Sequence, residues 1–191
     1  MHVITRLRRA HGTRGQSMAE FALVAPIFLL LLFSVIQLGL VFGAQNGLVD
    51  GVRSAARRAA TYRINEQSFD PTVFPFSVPG SICNTIRTEL TDRLRGAQGQ
   101  ELVVGFLPAN LSSTIAYEWQ QNPESGEYFL VAHITATYNN PLYVPLVSAI
   151  LDWSDGNAAN PDNQLTLTAS EQMRVENPAL GTPSSTAPQT C

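Results

Sequence analysis

The sequence predicts an α+β protein in which a long N-terminal helix, transmembrane and extending outside, and a second helix pack on a small antiparallel β-sheet. Three observations carry this prediction. Residues 21–49 contain no charged side chain, and residues 82–94 repeat an apolar residue every four positions. The segments beyond residue 100 change to an apolar period of two. A length of 191 residues leaves room for one ordinary domain beside a membrane segment.

The first predicted element is a helix that crosses a membrane. Residues 21–44 read FALVAPIFLLLLFSVIQLGLVFGA, and a helix of that length spans a hydrocarbon core of about 30 Å. Pro26 removes one backbone donor, so we expect a kink rather than a break. Small and apolar residues continue at helical spacing to Ile64, which predicts a helix that projects beyond the bilayer. A secretory signal peptide is the alternative, but its apolar region is usually only about 7 to 15 residues long.

The next predicted elements are a loop, a helix and four strands. Proline and glycine punctuate residues 65–80, which we interpret as a connection. A second, amphipathic helix is predicted next, with Ser81 as its N-terminal cap and its end just before Gly96. Residues 102–107, 114–119, 128–138 and 164–175 are rich in β-branched and aromatic residues and are predicted to be strands. In the third, odd-numbered residues from Phe129 to Thr137 should face one way and even-numbered residues from Tyr128 to Tyr138 the other.

Two segments are left without a regular element. Residues 141–151 are apolar but contain Pro141 and Pro145, so they are not assigned to a central strand. The last fifteen residues combine Pro, Ser and Thr and are expected to be disordered. The predicted organisation is a basic leader at 1–15, the membrane helix and its extension at 16–64, an α+β domain at 65–176 and a disordered tail at 177–191.

The charge distribution excludes some functions. The net charge is −3, and four of the twelve basic residues precede Gly15. Without the leader, eight arginines face 15 acidic residues, which leaves −7. Beyond residue 95 the basic residue is Arg174 against nine acids, so this half would repel phosphate backbones and no nucleic acid is expected. The chain has no lysine for amine chemistry, and we find no pattern for a catalytic site, a cofactor or a metal.

A short motif precedes the apolar run and reads RGQSMAEF from Arg14 to Phe21. A carboxylate at the edge of an apolar helix is costly, about 2.5 to 3.5 kcal/mol at the bilayer centre and less near an interface, so Glu20 invites a partner. The motif resembles the N-terminus of type IV pilins and pseudopilins, which a membrane aspartyl peptidase cuts after the glycine. The resemblance implies that Gly15 ends the leader, that Gln16 becomes the N-terminus and that Glu20 serves assembly. The new amine on one subunit could then pair with Glu20 on its neighbour.

A narrower resemblance covers residues 14–61 and is to TadE-like proteins, which share the proline after the Glu-Phe pair and an Ala-rich, Arg-containing extension. Gln37 lies where members of that family often carry an acid. The resemblance implies a pilin-like fold and a minor pseudopilin of a tight-adherence (Flp) pilus. Its partners would be a prepilin peptidase, other pseudopilins or pilins, and the pilus assembly platform.

The same resemblance implies a place in the cell. It indicates the bacterial cytoplasmic (inner) membrane, crossed once, with the leader in the cytoplasm and the C-terminal domain outside. Counting arginines does not decide the orientation, because the four in the leader are matched by four just beyond the apolar run. Whether the protein enters the fibre stays open. The alternative function is a membrane-anchored extracytoplasmic binding or sensor domain, which would keep its leader.

Two further features have more than one interpretation. Gly39, Gly43, Gly47 and Gly51 begin a series of small residues every four positions that Ala55 and Ala59 continue. Such spacing lets a second helix approach closely, although the glycines could instead mark a locally flexible stretch. The two cysteines, Cys83 and Cys191, could form a disulfide outside the cytoplasm, but Cys191 ends a tail expected to be disordered, so both states remain open.

Overall fold

The computed structural model of the chain describes residues 13–61, 78, 80–96, 103–144, 147–148, 163–175 and 186–191. The predicted leader up to residue 12, the connecting loop at 65–77 and residues 149–162 therefore lie outside the described residues. Two α-helices are described, α1 at Thr13–Thr61 and α2 at Gly80–Arg95. Helix α1 continues without interruption through Pro26.

Helix α2 confirms its predicted pattern. Ile82, Ile86, Leu90 and Leu94, which recur every four positions, are all buried. Gly96 follows the helix with a φ of 77°. A left-handed residue at this place ends a helix most cheaply as glycine, because glycine has no Cβ.

Four strands form one antiparallel sheet, so the predicted α+β class is confirmed. They are β1 at Leu111–Gln121, β2 at Tyr128–Pro141, β3 at Gln164–Arg174 and β4 at Gln189–Thr190, in the order β3-β2-β1-β4. The predicted faces of β2 are also confirmed, because its even-numbered residues from Leu130 to Tyr138 are buried. Those residues face the helices.

The strand predicted at 102–107 is wrong for the residues that the structure describes there. Residues 103–105 form a turn, and a 3-10 turn follows at Pro108–Asn110. Gly105 has a φ of 69°, and Pro108 cannot donate to a ladder. The β-branched and aromatic residues of this segment suggested a strand, but the buried Val103 and Phe106 anchor a loop instead.

The C-terminal tail differs from its prediction. Expected disorder is wrong for residues 186–191, because β4 pairs with β1 through Tyr117 and Gln189 and Cys191 forms a disulfide with Cys83 of α2. Composition suggested disorder because the tail has few large apolar residues, but a covalent bond and a short ladder hold its end. Residues 177–185 lie outside the described part of the chain.

The core lies where α1, α2 and the sheet meet. It takes in only the second part of α1, from Val41 to Ala60, together with the apolar face of α2 and the inner face of the sheet. None of the residues 16–36 is buried. We call residues 16–36 the exposed half of α1 and residues 37–60 the packed half.

Candidate functional site

The predicted processing segment opens α1. Gly15 is the third residue of the helix, two positions after Thr13. Glu20 is exposed and accepts a hydrogen bond from Gln16, whose Nε2 lies 3.0 Å from Glu20 Oε1. Phe21 follows with 72% of its surface exposed. The described residues of the distal domain do not cover this segment, so its carboxylate and its aromatic ring are available to other molecules.

The exposed half of α1 continues this surface. Large apolar side chains point outward all around the helix, and it is long and apolar enough to cross a membrane. A helix that is apolar on every side is suited to lipid or to the interior of an assembly. The most exposed of these residues are Met18, Phe21, Leu23, Val24, Ile27, Phe28, Leu31 and Val35.

The series of small residues does not lie on one face of α1. Each step of four residues turns about 40° around the axis, so the series passes from one side of the helix to the other. Gly39 and Gly43 are exposed, and a Cβ added to either would meet nothing within 4 Å. A Cβ on Gly51 would instead lie 3.2 Å from Leu90 Cδ1 and from Leu94 Cδ2. Gly51 is thus in close contact with α2 of its own chain, and Gly39 and Gly43 remain for another molecule.

Gly47 is also buried within the chain. The predicted four-glycine interface therefore divides into a buried pair, Gly47 and Gly51, and an exposed pair, Gly39 and Gly43. The switch in burial is a consequence of helix geometry, because Gly39 lies nine residues, about two and a half turns, from the buried Leu48. Those two residues face opposite directions.

Gln37 is a polar residue whose burial in the core was not predicted from the sequence. It is fully buried, and its Oε1 accepts a hydrogen bond from the backbone N of Tyr143 at 2.9 Å. Within the described residues its Nε2 has no partner. The signal in the sequence was the spacing of Gln37, Leu48 and Ala59, since residues eleven apart lie within about 20° of each other on a helix. Gln37 shares the line of α1 that faces the core.

The packed half of α1 also makes polar contacts. Ser54 Oγ donates to Glu89 Oε1 of α2 at 2.9 Å, and Arg93 Nε donates to the same oxygen at 3.1 Å. These bonds, the Ser54 bond first, lower the pKa of the Glu89 carboxyl below its usual range. Arg53 approaches Glu171 of β3 to 3.7 Å. The contacts fix α1 against both neighbouring elements.

The outer face of the sheet carries the remaining polar cluster. His133 Nε2 lies 2.8 Å from Glu118 Oε1, and a cavity of about 240 Å³ is lined by His133, Thr135 and residues 170–172. Ligand pockets usually measure about 300 to 1,000 Å³ and are mostly apolar, so this open depression does not have their form. Among the described residues no group of His, Cys, Asp or Glu could hold a metal ion.

Comparison with known proteins gave a family match over the N-terminal helix. Residues 15–57 match the family model described as TadE-like protein, which confirms the resemblance seen in the sequence. The match begins at Gly15 and lies entirely within α1. It supports a membrane-anchored component related to the tight-adherence pilus. Comparison with curated proteins and with solved structures gave no match.

Proposed function

We propose, from a TadE-like helix joined to a folded distal domain, that this chain is a minor pseudopilin that helps to assemble a tight-adherence pilus. In this proposal a prepilin peptidase removes residues 1–15, and the mature protein joins other pseudopilins or pilins and the assembly platform through α1. The observation that carries the proposal is the TadE-like match, which starts at Gly15 and ends at residue 57.

The shape of α1 supports assembly through its exposed half. The packed half begins at Gln37, which lies about 25 Å along the helix from Glu20. Over that distance every side chain is accessible to lipid or to neighbouring subunits. In a bundle of such helices Glu20 would lie at the edge of an apolar medium, where a charged partner is worth more than in water.

Cleavage would change the group that faces Glu20. Hydrolysis of the Gly15–Gln16 peptide bond consumes one water and leaves a carboxylate on Gly15 and an α-amine on Gln16. The neutral amide of Gln16 now bonds to Glu20 within the same helix. A charged amine from a neighbouring subunit would add the attraction between two opposite full charges, which the neutral amide of Gln16 does not supply.

The position of Gly15 in the first turn suits the protease. A peptidase binds an extended segment, so this turn must unwind before the cut. Glycine costs about 0.8 to 1 kcal/mol relative to alanine within a helix, and the first turn lacks many of its hydrogen bonds. Only one turn has to be lost to present the bond between Gly15 and Gln16.

Gly39 and Gly43 provide a second contact in the proposal. They lie on the side of α1 opposite the core, near the outer end of the apolar run, and no described residue covers them. A partner helix could approach closely there, as in other small-xxx-small interfaces. The disulfide between Cys83 and Cys191 supports a distal domain outside the cytoplasm, because disulfides persist in oxidising compartments. The helix then crosses the inner membrane once.

The test separates processing from assembly. Intact mass and N-terminal sequencing are measured on membranes from cells with and without the peptidase, for the wild type, Gly15→Leu and Glu20→Gln. We expect a mature N-terminus at Gln16 for the wild type and for Glu20→Gln, and an uncut chain for Gly15→Leu. Co-purification with pilus components should fail for Glu20→Gln and recover in part for Glu20→Asp, which keeps the charge.

Two results would contradict the proposal. If the wild type keeps Met1 in both strains, the chain is not a processed pseudopilin, and an anchored receptor with its leader in place becomes the better interpretation. If Glu20→Gln still co-purifies normally, Glu20 is not the assembly group, and the face of Gly39 and Gly43 is the remaining candidate.

A further inference from the structure

Three apolar side chains lie exposed at one end of the distal domain. Val104 and Leu107, from the loop before β1, are 60% and 51% exposed, and Tyr143, just after β2, is 57% exposed. The loop lies against Tyr143, because a Cβ on Gly105 would come within 2.5 Å of the tyrosine hydroxyl. We call Val104, Leu107 and Tyr143 the apolar collar.

The collar lies at the depth where α1 leaves the membrane. The backbone N of Tyr143 bonds to Gln37 Oε1 at 2.9 Å, which fixes Tyr143 at the level of Gln37. A hydrocarbon core of about 30 Å that begins at Phe21 extends for about twenty residues, to Leu40. Gln37 is therefore inside the outer edge of the apolar layer, and the collar beside it is at the same edge.

The direction of the sheet agrees with this placement. Gln45 Nε2 lies 3.3 Å from the Thr168 carbonyl, and Arg53 lies 3.7 Å from Glu171, so β3 ascends away from the membrane alongside α1. Its antiparallel neighbour β2 must then descend, and the residues after Pro141 come at the lower end. The turn between β1 and β2, which carries Glu124 and Glu127, is at the opposite end.

Several backbone N–H groups at the collar are hydrogen-bonded within the chain, as an apolar environment requires. Leu142 N donates to the Asn163 carbonyl at 2.8 Å and Phe106 N to the Val103 carbonyl at 3.1 Å. Leu107 N donates to the Tyr138 hydroxyl at 3.2 Å. Backbone groups in a membrane must be satisfied internally, whereas a loop in water can use solvent.

The two chain segments that carry the collar also lack charged side chains. No Asp, Glu, Lys or Arg occurs between residues 102 and 117 or between residues 128 and 151. A charged side chain near the hydrocarbon is unfavourable, whereas tyrosine is enriched at the membrane interface because its ring is apolar and its hydroxyl is polar. The depth of the collar, its backbone hydrogen bonds and its lack of charge are thus all compatible with contact with lipid.

We infer that the apolar collar inserts into the outer edge of the bilayer that α1 crosses, so that lipid acyl chains contact Val104, Leu107 and Tyr143. The domain then rests on the membrane at two places, on α1 and on the collar. This double attachment fixes the domain's orientation about the helix axis and directs the face of Gly39 and Gly43 sideways, within reach of a neighbouring helix. The inference requires α1 to span the membrane, but it does not depend on leader removal.

The test measures the depth of the collar in the full chain. Leu107→Cys and Val104→Cys are spin-labelled without reductant, so that the native disulfide stays closed, and reconstituted in bilayers of phosphatidylethanolamine and phosphatidylglycerol. Collisions with oxygen, which concentrates in lipid, are compared with collisions with a water-soluble nickel chelate. Leu32→Cys, in the exposed half of α1, is the lipid reference, and Ser125→Cys, in the distal turn, is the water reference.

The expected oxygen-to-nickel ratio at Leu107 and Val104 is several-fold above that at Ser125 and below that at Leu32, which lies near the middle of the apolar layer. A ratio equal to that at Ser125 would place the collar in water and overturn the inference. An immobilised label with low collision rates for both reagents would show that protein covers the collar, which also overturns it. A single free thiol per chain, the introduced one, shows that each variant keeps its native disulfide.

Discussion

The two halves of α1 belong to one continuous helix, yet they differ in the size and polarity of the side chains on their surfaces. The exposed half, residues 16–36, carries large apolar side chains on all sides. The packed half, residues 37–60, buries a line of mostly small residues that includes Val52, Ala55 and Ala59, and leaves Arg57 and Arg58 in solvent. Helical period alone is the same in both halves. The two halves differ in how apolar and polar side chains are distributed around the helix axis, and this distribution indicates the environment of each half.

Residue size adds a second lesson. In the exposed half, the bulky apolar side chains are largely uncovered by the described part of the chain. In the packed half, small residues let α2 and the sheet approach the backbone of α1, as Gly51 shows against Leu90 and Leu94. An apolar substitution should therefore disturb the fold at positions that the core covers and leave it unchanged on the uncovered surface of α1, and three experiments test this difference.

The largest effect is expected from Leu90→Ala, measured against Leu32→Ala. Leu90 is 1% exposed in the core, so its truncation should lower the free energy of unfolding by about 2 to 5 kcal/mol. Leu32 is 44% exposed, and the same truncation there should leave the domain's stability unchanged. Unfolding in denaturant, followed by the circular dichroism of the reconstituted full chain, measures both.

Equal losses from both leucines would show that the exposed half of α1 and the core around Leu90 unfold as one packed unit. That outcome would remove the distinction between them. A loss at Leu90 alone confirms it, and the membrane insertion of Leu32→Ala, judged by extraction from membranes, serves as the control for the exposed half.

A smaller effect is expected from Gly51→Leu, measured against Gly43→Leu. Leucine at position 51 would overlap Leu90 and Leu94, and overpacking typically costs about 1 to 3 kcal/mol. A Cβ at position 43 would meet no described atom within 4 Å, so leucine there should leave the fold unaffected. Its bulk would, however, separate a partner helix, so crosslinking between subunits should decline for Gly43→Leu. Crosslinking equal to the wild type would support a flexible stretch instead of an interface.

Much of this architecture could be predicted because local pattern decides it. The four-residue repeat of α2 and the alternation in β2 depend on which face is buried, and both are visible in the sequence. The disulfide and β4 could not be predicted, because they join Cys83 to Cys191 and Tyr117 to Gln189, which are far apart in the chain, and the tail's composition resembles that of disordered segments. Contacts between distant parts of a chain leave little trace in local composition.

The candidate site divides in the same way. Gly15, Glu20 and Phe21 form a short local motif, so the sequence could identify them. The hydrogen bond from Tyr143 to Gln37 joins an unassigned apolar segment to the membrane helix, and nothing local indicates it. The glycine series was recognised by its spacing, but that spacing does not show that the series turns around the helix, so its division between core and surface became clear only from the fold.

The smallest effect is expected at the polar contact between the packed half and α2, and it depends on pH. Hydrogen bonds from Ser54 and then Arg93 lower the folded-state pKa of Glu89. A carboxyl with a depressed folded pKa stabilises the fold above its unfolded pKa, about 4.3 for glutamate, and this contribution is lost as the pH falls through the folded value.

Glu89→Gln should therefore reduce the free energy of unfolding at neutral pH, by less than about 1 kcal/mol because the side chain is 33% exposed. The difference from the wild type should shrink once the pH falls below about 4.3. Ser54→Ala should show a similar pH dependence, and its effect combined with Glu89→Gln should be smaller than the sum of the two, because both weaken the bond from Ser54 Oγ to residue 89. A difference that stays constant from neutral to acid pH would mean that the charge of Glu89 does not contribute to holding α1 against α2.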